Sequence, residues 1–267
     1  MNAGLRSAAL LAAIAIFCGG RAIAASVQPH QAFYEISVRE WKLPGAVADY
    51  SGTQILRLES TCAAWRLVGR FALSAAMQNG RRLSFETEIS NTEAKDGTRL
   101  QFDHQTRMNG RPLGPIRGVA SRSGPGAAGR IELSIPGNRT LQLPREARFP
   151  VASFLWTAAQ VKKGARTMNY VLFDGSSPEP VRVFELLTGK PGKLEPPPKG
   201  DTGLLRRPGW RTVGSFHRYA GGGSKPLTTV TQNIYDNGIA GEITFDIGLA
   251  VVSLKLRAIR KLPEPAC

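Results

Sequence analysis

Phe71-Ala72-Leu73-Ser74-Ala75-Ala76-Met77-Gln78-Asn79-Gly80-Arg81-Arg82-Leu83-Ser84-Phe85-Glu86-Thr87-Glu88-Ile89 is the stretch that decides the fold. Phe71, Leu73, Ala75 and Met77 alternate up to Asn79-Gly80, and Leu83, Phe85, Thr87 and Ile89 alternate after it. A repeat of two residues puts every second side chain on the same face of a pleated strand. Asn-Gly supplies the positive φ angles of a type I′ turn, so the spacing predicts a β-hairpin.

The same signal recurs in both directions. Upstream, Ala32, Tyr34, Ile36 and Val38 alternate with Gln31, Phe33, Glu35, Ser37 and Arg39, and Phe33 breaks the polarity of the second face. Leu43-Pro44-Gly45-Ala46 reads as a turn before a strand from Asp49 to Glu59 that delivers the chain to Cys62. Downstream, Asp96-Gly97 and Asn109-Gly110 mark reversals around Leu100, Phe102 and His104. Gly114 to Ala120 forms a short piece, Ser123 to Gly129 a flexible connection, and Ile131, Leu133 and Ile135 pair with Leu141 and Leu143 across Pro136-Gly137-Asn138. This is an antiparallel meander, spaced as sandwiches and barrels are.

The rhythm changes once, after Phe149-Pro150. Phe154, Leu155, Ala158, Ala159 and Val161 fall at helical spacing, and Lys162-Lys163-Gly164 ends the run, which predicts one amphipathic helix over 151–163. Two uses stay open for it: covering the β core, or docking a partner through the face that holds Trp156. A hairpin follows, from Tyr170–Phe173 through Asp174-Gly175-Ser176 to Pro180–Thr188. The segment 189–209, rich in proline (Pro191, Pro196 to Pro198, Pro208) and in basic residues, reads as a surface loop. Strands return at 210–219, 227–235 and 243–258, the last two joined around Asp236-Asn237-Gly238.

Arg6, the apolar run Ala8 to Phe17 and Ala22-Ile23-Ala24 have the layout of an export signal, with cleavage expected near Ala24 or Ala25. The run is too short for a bilayer, which takes about 20 residues. Lipidation at Cys18 is the other alternative, and the bulky Phe17 before it argues against that. Residues 25–267 then form a single β domain. Removal of residues 1–24 discards Cys18 and leaves Cys62 and Cys267, a disulfide candidate in an exported protein, with two buried free thiols as the alternative. Such a bond encloses most of the chain, and the chain-entropy model gives it about 5 kcal/mol. The formal charge of +15 falls slightly with loss of Arg6 and Arg21 and favours anionic partners. Nucleic acid is excluded by the export signal and by the scatter of Arg81-Arg82, Lys162-Lys163, Arg206-Arg207 and Arg260-Lys261 over separate segments. The remaining readings of the charge are a solvated basic surface or affinity for acidic envelope polymers or lipid head groups.

Catalytic signals are weak. His30, His104 and His217 are far apart, and none has a second His or Cys at metal-site spacing, so no metal is expected. A Gly-x-Ser-x-Gly elbow is lacking, and the Gly-rich stretches lack the Lys and Ser or Thr of a phosphate loop. Asp174-Gly175-Ser176 is first a turn signal, and Cys62-Ala63-Ala64-Trp65 lacks the second cysteine of a redox pair.

Taken in order, His30-Gln31-Ala32-x-Tyr34, Cys62-x-x-Trp65, Gly114 with Gly118 and Ala120, Phe149-Pro150, Asp174-Gly175-Ser176 and the closing cysteine resemble one family. It is the periplasmic cell-envelope-integrity protein B (EipB-like) family of alphaproteobacteria, long a domain of unknown function, and the similarity runs from about residue 28 to the end. The resemblance implies a monomeric, widely curved β-spiral of about fourteen strands, like an open barrel, with one helix and a disulfide between Cys62 and Cys267. It further implies a non-enzymatic periplasmic role in envelope integrity, no cofactor, and work with a periplasmic tetratricopeptide-repeat protein. The Pro-rich segment 189–209 departs from the family pattern and leaves the partner surface on that side open. On this reading the disulfide keeps the two ends of an open spiral from fraying. Two other functions stay in view: a carrier holding a lipid or other apolar ligand in the curved sheet, and, with least support, a hydrolase.

Overall fold

The computed structural model describes residues 26–42, 47–221 and 224–267; the expected export signal and the turn at 43–46 lie outside them. The strands are β1 (His30–Trp41), β2 (Val47–Ser60), β3 (Ala64–Met77), β4 (Arg82–Ala94), β5 (Arg99–Met108), β6 (Arg111–Pro112), β7 (Ile116–Arg122), β8 (Gly129–Ile135), β9 (Arg139–Leu143) and β10 (Ala147–Arg148). After the helix α1 (Pro150–Lys162) come β11 (Thr167–Leu172), β12 (Val181–Gly189), β13 (Lys199–Gly200), β14 (Gly209–Arg218), β15 (Thr228–Tyr235), β16 (Ala240–Asp246) and β17 (Ala250–Lys261). Among the described residues the strands number seventeen, in one barrel-like sheet. Three of them, β6, β10 and β13, have two residues each, too few for any periodicity, and they account for the excess over about fourteen.

The hairpin at 71–89 is present, with Phe71 opposite Thr87 and Leu73 opposite Phe85. Its turn differs from the expectation. Gly80 donates to Met77 O at 2.9 Å and Met77 to Arg81 O at 2.8 Å, and only Gly80 of the Asn-Gly pair has a positive φ (80°). This is the three-residue loop with a glycine bulge, and Tyr235 to Ile239 repeats it. The type I′ pair is Asn109-Gly110, with φ of 51° and 76°.

Followed through its hydrogen bonds, the sheet runs β9, β8, β7, β5, β4, β3, β2, β1, β17, β16, β15, β14, β12, β11, β10. The first and last strands of the chain therefore pair with each other in the middle of the sheet, from His30 opposite Lys261 to Trp41 opposite Ala250. The sheet's two edges, β9 and β10, are neighbours in sequence, joined only by residues 144–146. A sheet whose edges are tied by so short a link must curl until they nearly meet.

The curl gives an inner face with two apolar clusters. Tyr34, Phe71, Leu73, Val252, Leu254 and Leu256 lead one, and Leu100, Phe102, Ile131, Leu143, Phe149 and Phe173 the other. Near β10 the sheet tucks inside itself. Val171 of β11 joins the second cluster, while Tyr170, on the opposite face of the strand, meets Trp156 of α1 at 5.6 Å between ring centroids.

Helix α1 does not bury the expected stripe. Its buried residues are Ser153, Thr157 and Ala158, whereas Phe154, Leu155 and Val161 are half-buried. β11 packs on the helix, where Ser153 bonds to Tyr170 and Trp156 meets the same ring, and the turn at Gly238 approaches Phe154. The segment 189–209 also departs from a free surface loop. Its β13 pairs in parallel with Ala258 and Ile259 of β17, Leu194, Leu204 and Leu205 pack on the first cluster, and Pro198 is buried. β16 covers β17 only as far as Lys255, and β13 satisfies part of the backbone left beyond it.

Candidate functional site

In β4 the alternation that carries Phe85, Thr87 and Ile89 continues to Asn91 and Glu93. Register places Ile89 opposite His104, Asn91 opposite Phe102, and Glu93 opposite Leu100 of β5, and opposed residues in an antiparallel pair share a face. A polar line therefore crosses the inner face between the two clusters, and the loop after β11 lies over it. Asn91 Nδ2 donates to Asp174 O at 3.0 Å, and Asn91 Oδ1 accepts from His104 Nε2 at 2.9 Å. The acceptor fixes the histidine proton on Nε2. Burial lowers the His104 pKa, and Asp174 and Asp103 oppose that shift.

Thus the structure brings together His104 and Asp174-Gly175-Ser176, but not as a catalytic set. Ser176 donates both its N–H (2.9 Å) and its hydroxyl (2.7 Å) to Asp174 Oδ1, and His104 faces Asn91 instead of the serine. A nucleophile and base need a hydrogen bond to each other. Gly175 (φ 79°) is needed for close approach, since a Cβ there would stand 2.5 Å from Phe102 Cβ. Gly118 serves the same ring from β7, where a Cβ would lie 2.8 Å from Phe102 Cζ. The other histidines lie elsewhere. His30 Nδ1 donates to Gln28 O at 2.7 Å, and His217 stacks edge-on against Phe184. Among the described residues no group of three His, Cys, Asp or Glu stands ready to hold a metal, and no helix is long and apolar enough to cross a membrane.

Glu93 is the group that sequence reasoning missed. Phe149 at the start of α1 has no side-chain oxygen to cap it, and Glu93 supplies the cap from β4 by accepting from Val151 N (2.7 Å) and Ala152 N (2.8 Å). Two orphan N–H groups and the positive end of the helix dipole are satisfied by one carboxylate. Arg122 stands nearby, donating to Gly97 O (2.7 Å) and Ala147 O (2.8 Å) with its guanidinium 4.8 Å from the Phe149 ring centre. Burial raises the Glu93 carboxyl to about 7, against the two N–H donors and Arg122, which lower it.

A carboxyl with a folded-state pKa above its ordinary value binds its proton more tightly in the native state. Its contribution to stability is complete below about pH 4.5 and is lost as pH rises to about 7. Urea melts of the wild type are expected to show this decline, and Glu93→Gln, which cannot ionise, to flatten it. Parallel pH profiles in the two proteins would contradict the assignment.

Cys62, in the turn between β2 and β3, is bonded to Cys267, with Cα atoms 5.7 Å apart. Both cysteines are exposed. His30 of β1 pairs with Leu58 on one side and Lys261 on the other, so the bond passes over the end of β1 and ties β2 to the tail beyond β17. It staples the middle of the sheet and not its edges, contrary to the expectation that it restrains fraying ends. Trp65 is capped by Lys95, whose Nζ lies 4.6 Å from the ring centre.

A family model described as EipB-like matches residues 21–263, nearly the whole chain. The chain belongs to the EipB-like family. Among solved structures, a β-barrel-like protein of a domain of unknown function from Brucella abortus superposes on this EipB-like chain with a TM-score of 0.75. The identity is 20%, and the match covers 90% of this chain and 100% of the other. No curated protein matches the sequence. Neither the EipB-like family nor the barrel-like domain is a known enzyme family.

Proposed function

We propose that this EipB-like protein is a non-catalytic periplasmic component that supports cell-envelope integrity through protein–protein contact, working as a monomer with a periplasmic tetratricopeptide-repeat protein. The observation that carries the proposal is the commitment of the inner polar groups to the fold itself. Asn91 and Asp174 hold a loop, Glu93 caps a helix, and His104 and Ser176 bond to these same residues. The outer face is left to meet partners. A carrier holding an apolar ligand inside the sheet has less support, because α1, Phe173 and the leucines of the Pro-rich segment occupy the inner face.

Deletion of the gene is expected to sensitise cells to detergent. Resistance should return with the full chain and not with one lacking residues 1–24. Unchanged detergent resistance in the deletion strain would overturn the proposal.

A further inference from the structure

Phe184 (44% exposed) and Leu186 (48%) stand on the same side of β12, and Leu227 (53%) lies just before β15, held by its N–H to Phe216 O at 2.7 Å. Register sets Asn169 and Thr167 of β11 beside Phe184 and Leu186 on one flank, and Ser215 and Val213 of β14 on the other. These six, with Met168 and Glu185 between them, line an open groove of about 600 Å³ on the outer face. Glu185 turns the other way, buried, with its carboxylate accepting from Tyr170 OH at 3.0 Å.

Arginines stand at both ends of this groove. Arg182 and His217 follow Phe184 toward one end of the face, and Arg211 lies at the other. Arg211 forms no ion pair among the described residues and lies beside Glu242, which pairs with Arg39, while Arg182 lies over the Tyr219 ring near Glu146. Among the described residues, Phe33 opposite Ile55 is a second exposed apolar pair. It is ringed by paired charges, Arg257 with Glu35, Arg57 with Glu59, and Arg70 with Glu86 and Glu88. Apolar side chains among paired charges are ordinary surface, whereas an apolar stripe flanked by arginines outside any ion pair, on a chain of net positive charge, fits a surface that is apolar beneath and anionic above.

We propose that the outer face of β11, β12 and β14 docks on an anionic lipid bilayer. Phe184, Leu186 and Leu227 enter the boundary between head groups and acyl chains, and Arg211 and Arg182 meet lipid phosphates. The charge of +15 steers the protein to such a surface. This proposal is independent of the repeat-protein partner.

The test is co-sedimentation of the purified protein with vesicles of phosphatidylcholine alone or mixed with phosphatidylglycerol. Binding is expected only to the mixed vesicles. Phe184→Ser/Leu186→Ser should weaken it about tenfold or more, as expected for loss of two inserted apolar side chains. Arg211→Glu should also weaken it, and Phe33→Ser/Ile55→Ser should leave it unchanged. If the double variant melts early, Leu186→Asp alone carries the same expectation. Absence of binding to mixed vesicles overturns the proposal, as does equal binding by the Phe184/Leu186 variant or equal loss in the Phe33/Ile55 variant. If those Phe184/Leu186 substitutions abolish capture of a protein partner while vesicle binding persists, the face belongs to that protein instead.

Discussion

Replacing Cys62 and Cys267 together by serine is expected to lower stability by up to about 5 kcal/mol and the melting temperature by roughly 10 °C. The bond spans 205 residues, so its loss frees nearly the whole unfolded chain from one long loop. Little native structure depends on it directly, because the β1–β17 and β1–β2 pairings already hold the strands that it bridges. The variant should therefore fold, with the wild-type circular dichroism spectrum and an earlier thermal transition. Identical melting of the oxidised wild type and the variant would contradict the assigned role.

Glu93→Ala is expected to cost about 2 kcal/mol, the range for leaving a helix start and two N–H donors without their acceptor. Val151 and Ala152 lose their acceptor inside the protein, and Arg122 loses its carboxylate neighbour. Glu93→Gln should cost less, since its amide oxygen keeps one of the two N–H bonds. Urea denaturation followed by the helical circular dichroism signal measures both. Equal stability of Glu93→Ala and wild type would show that the helix start does not depend on this cap.

The hairpins were legible because two-residue alternation and turn residues are local signals, and Phe71 to Ile89 carries both. The turn type was not, because Asn79-Gly80 suits either loop and only the count of residues between paired backbones distinguishes them. The helix was visible at 151–163, but its buried line of Ser153, Thr157 and Ala158 reflects elements that reach it from distant sequence. The docking of 189–209 on β17 was hidden for the same reason, since proline content reports local conformation and not what lies next to it. Glu93, Asn91 and His104 were within reach. Extending the alternation of β4 and β5 by two positions puts three polar residues on an apolar face, which is a signal for an internal network. The meeting of β1 with β17 in mid-sheet had no local signature.

The most direct test of the account is crosslinking in intact cells, followed by identification of what is bound to this protein. The account predicts capture of a periplasmic tetratricopeptide-repeat protein in material where Cys62 and Cys267 are disulfide-bonded. Recovery of the protein in the cytoplasm with free thiols, or with a lipid bound inside the sheet and no protein partner, would contradict it.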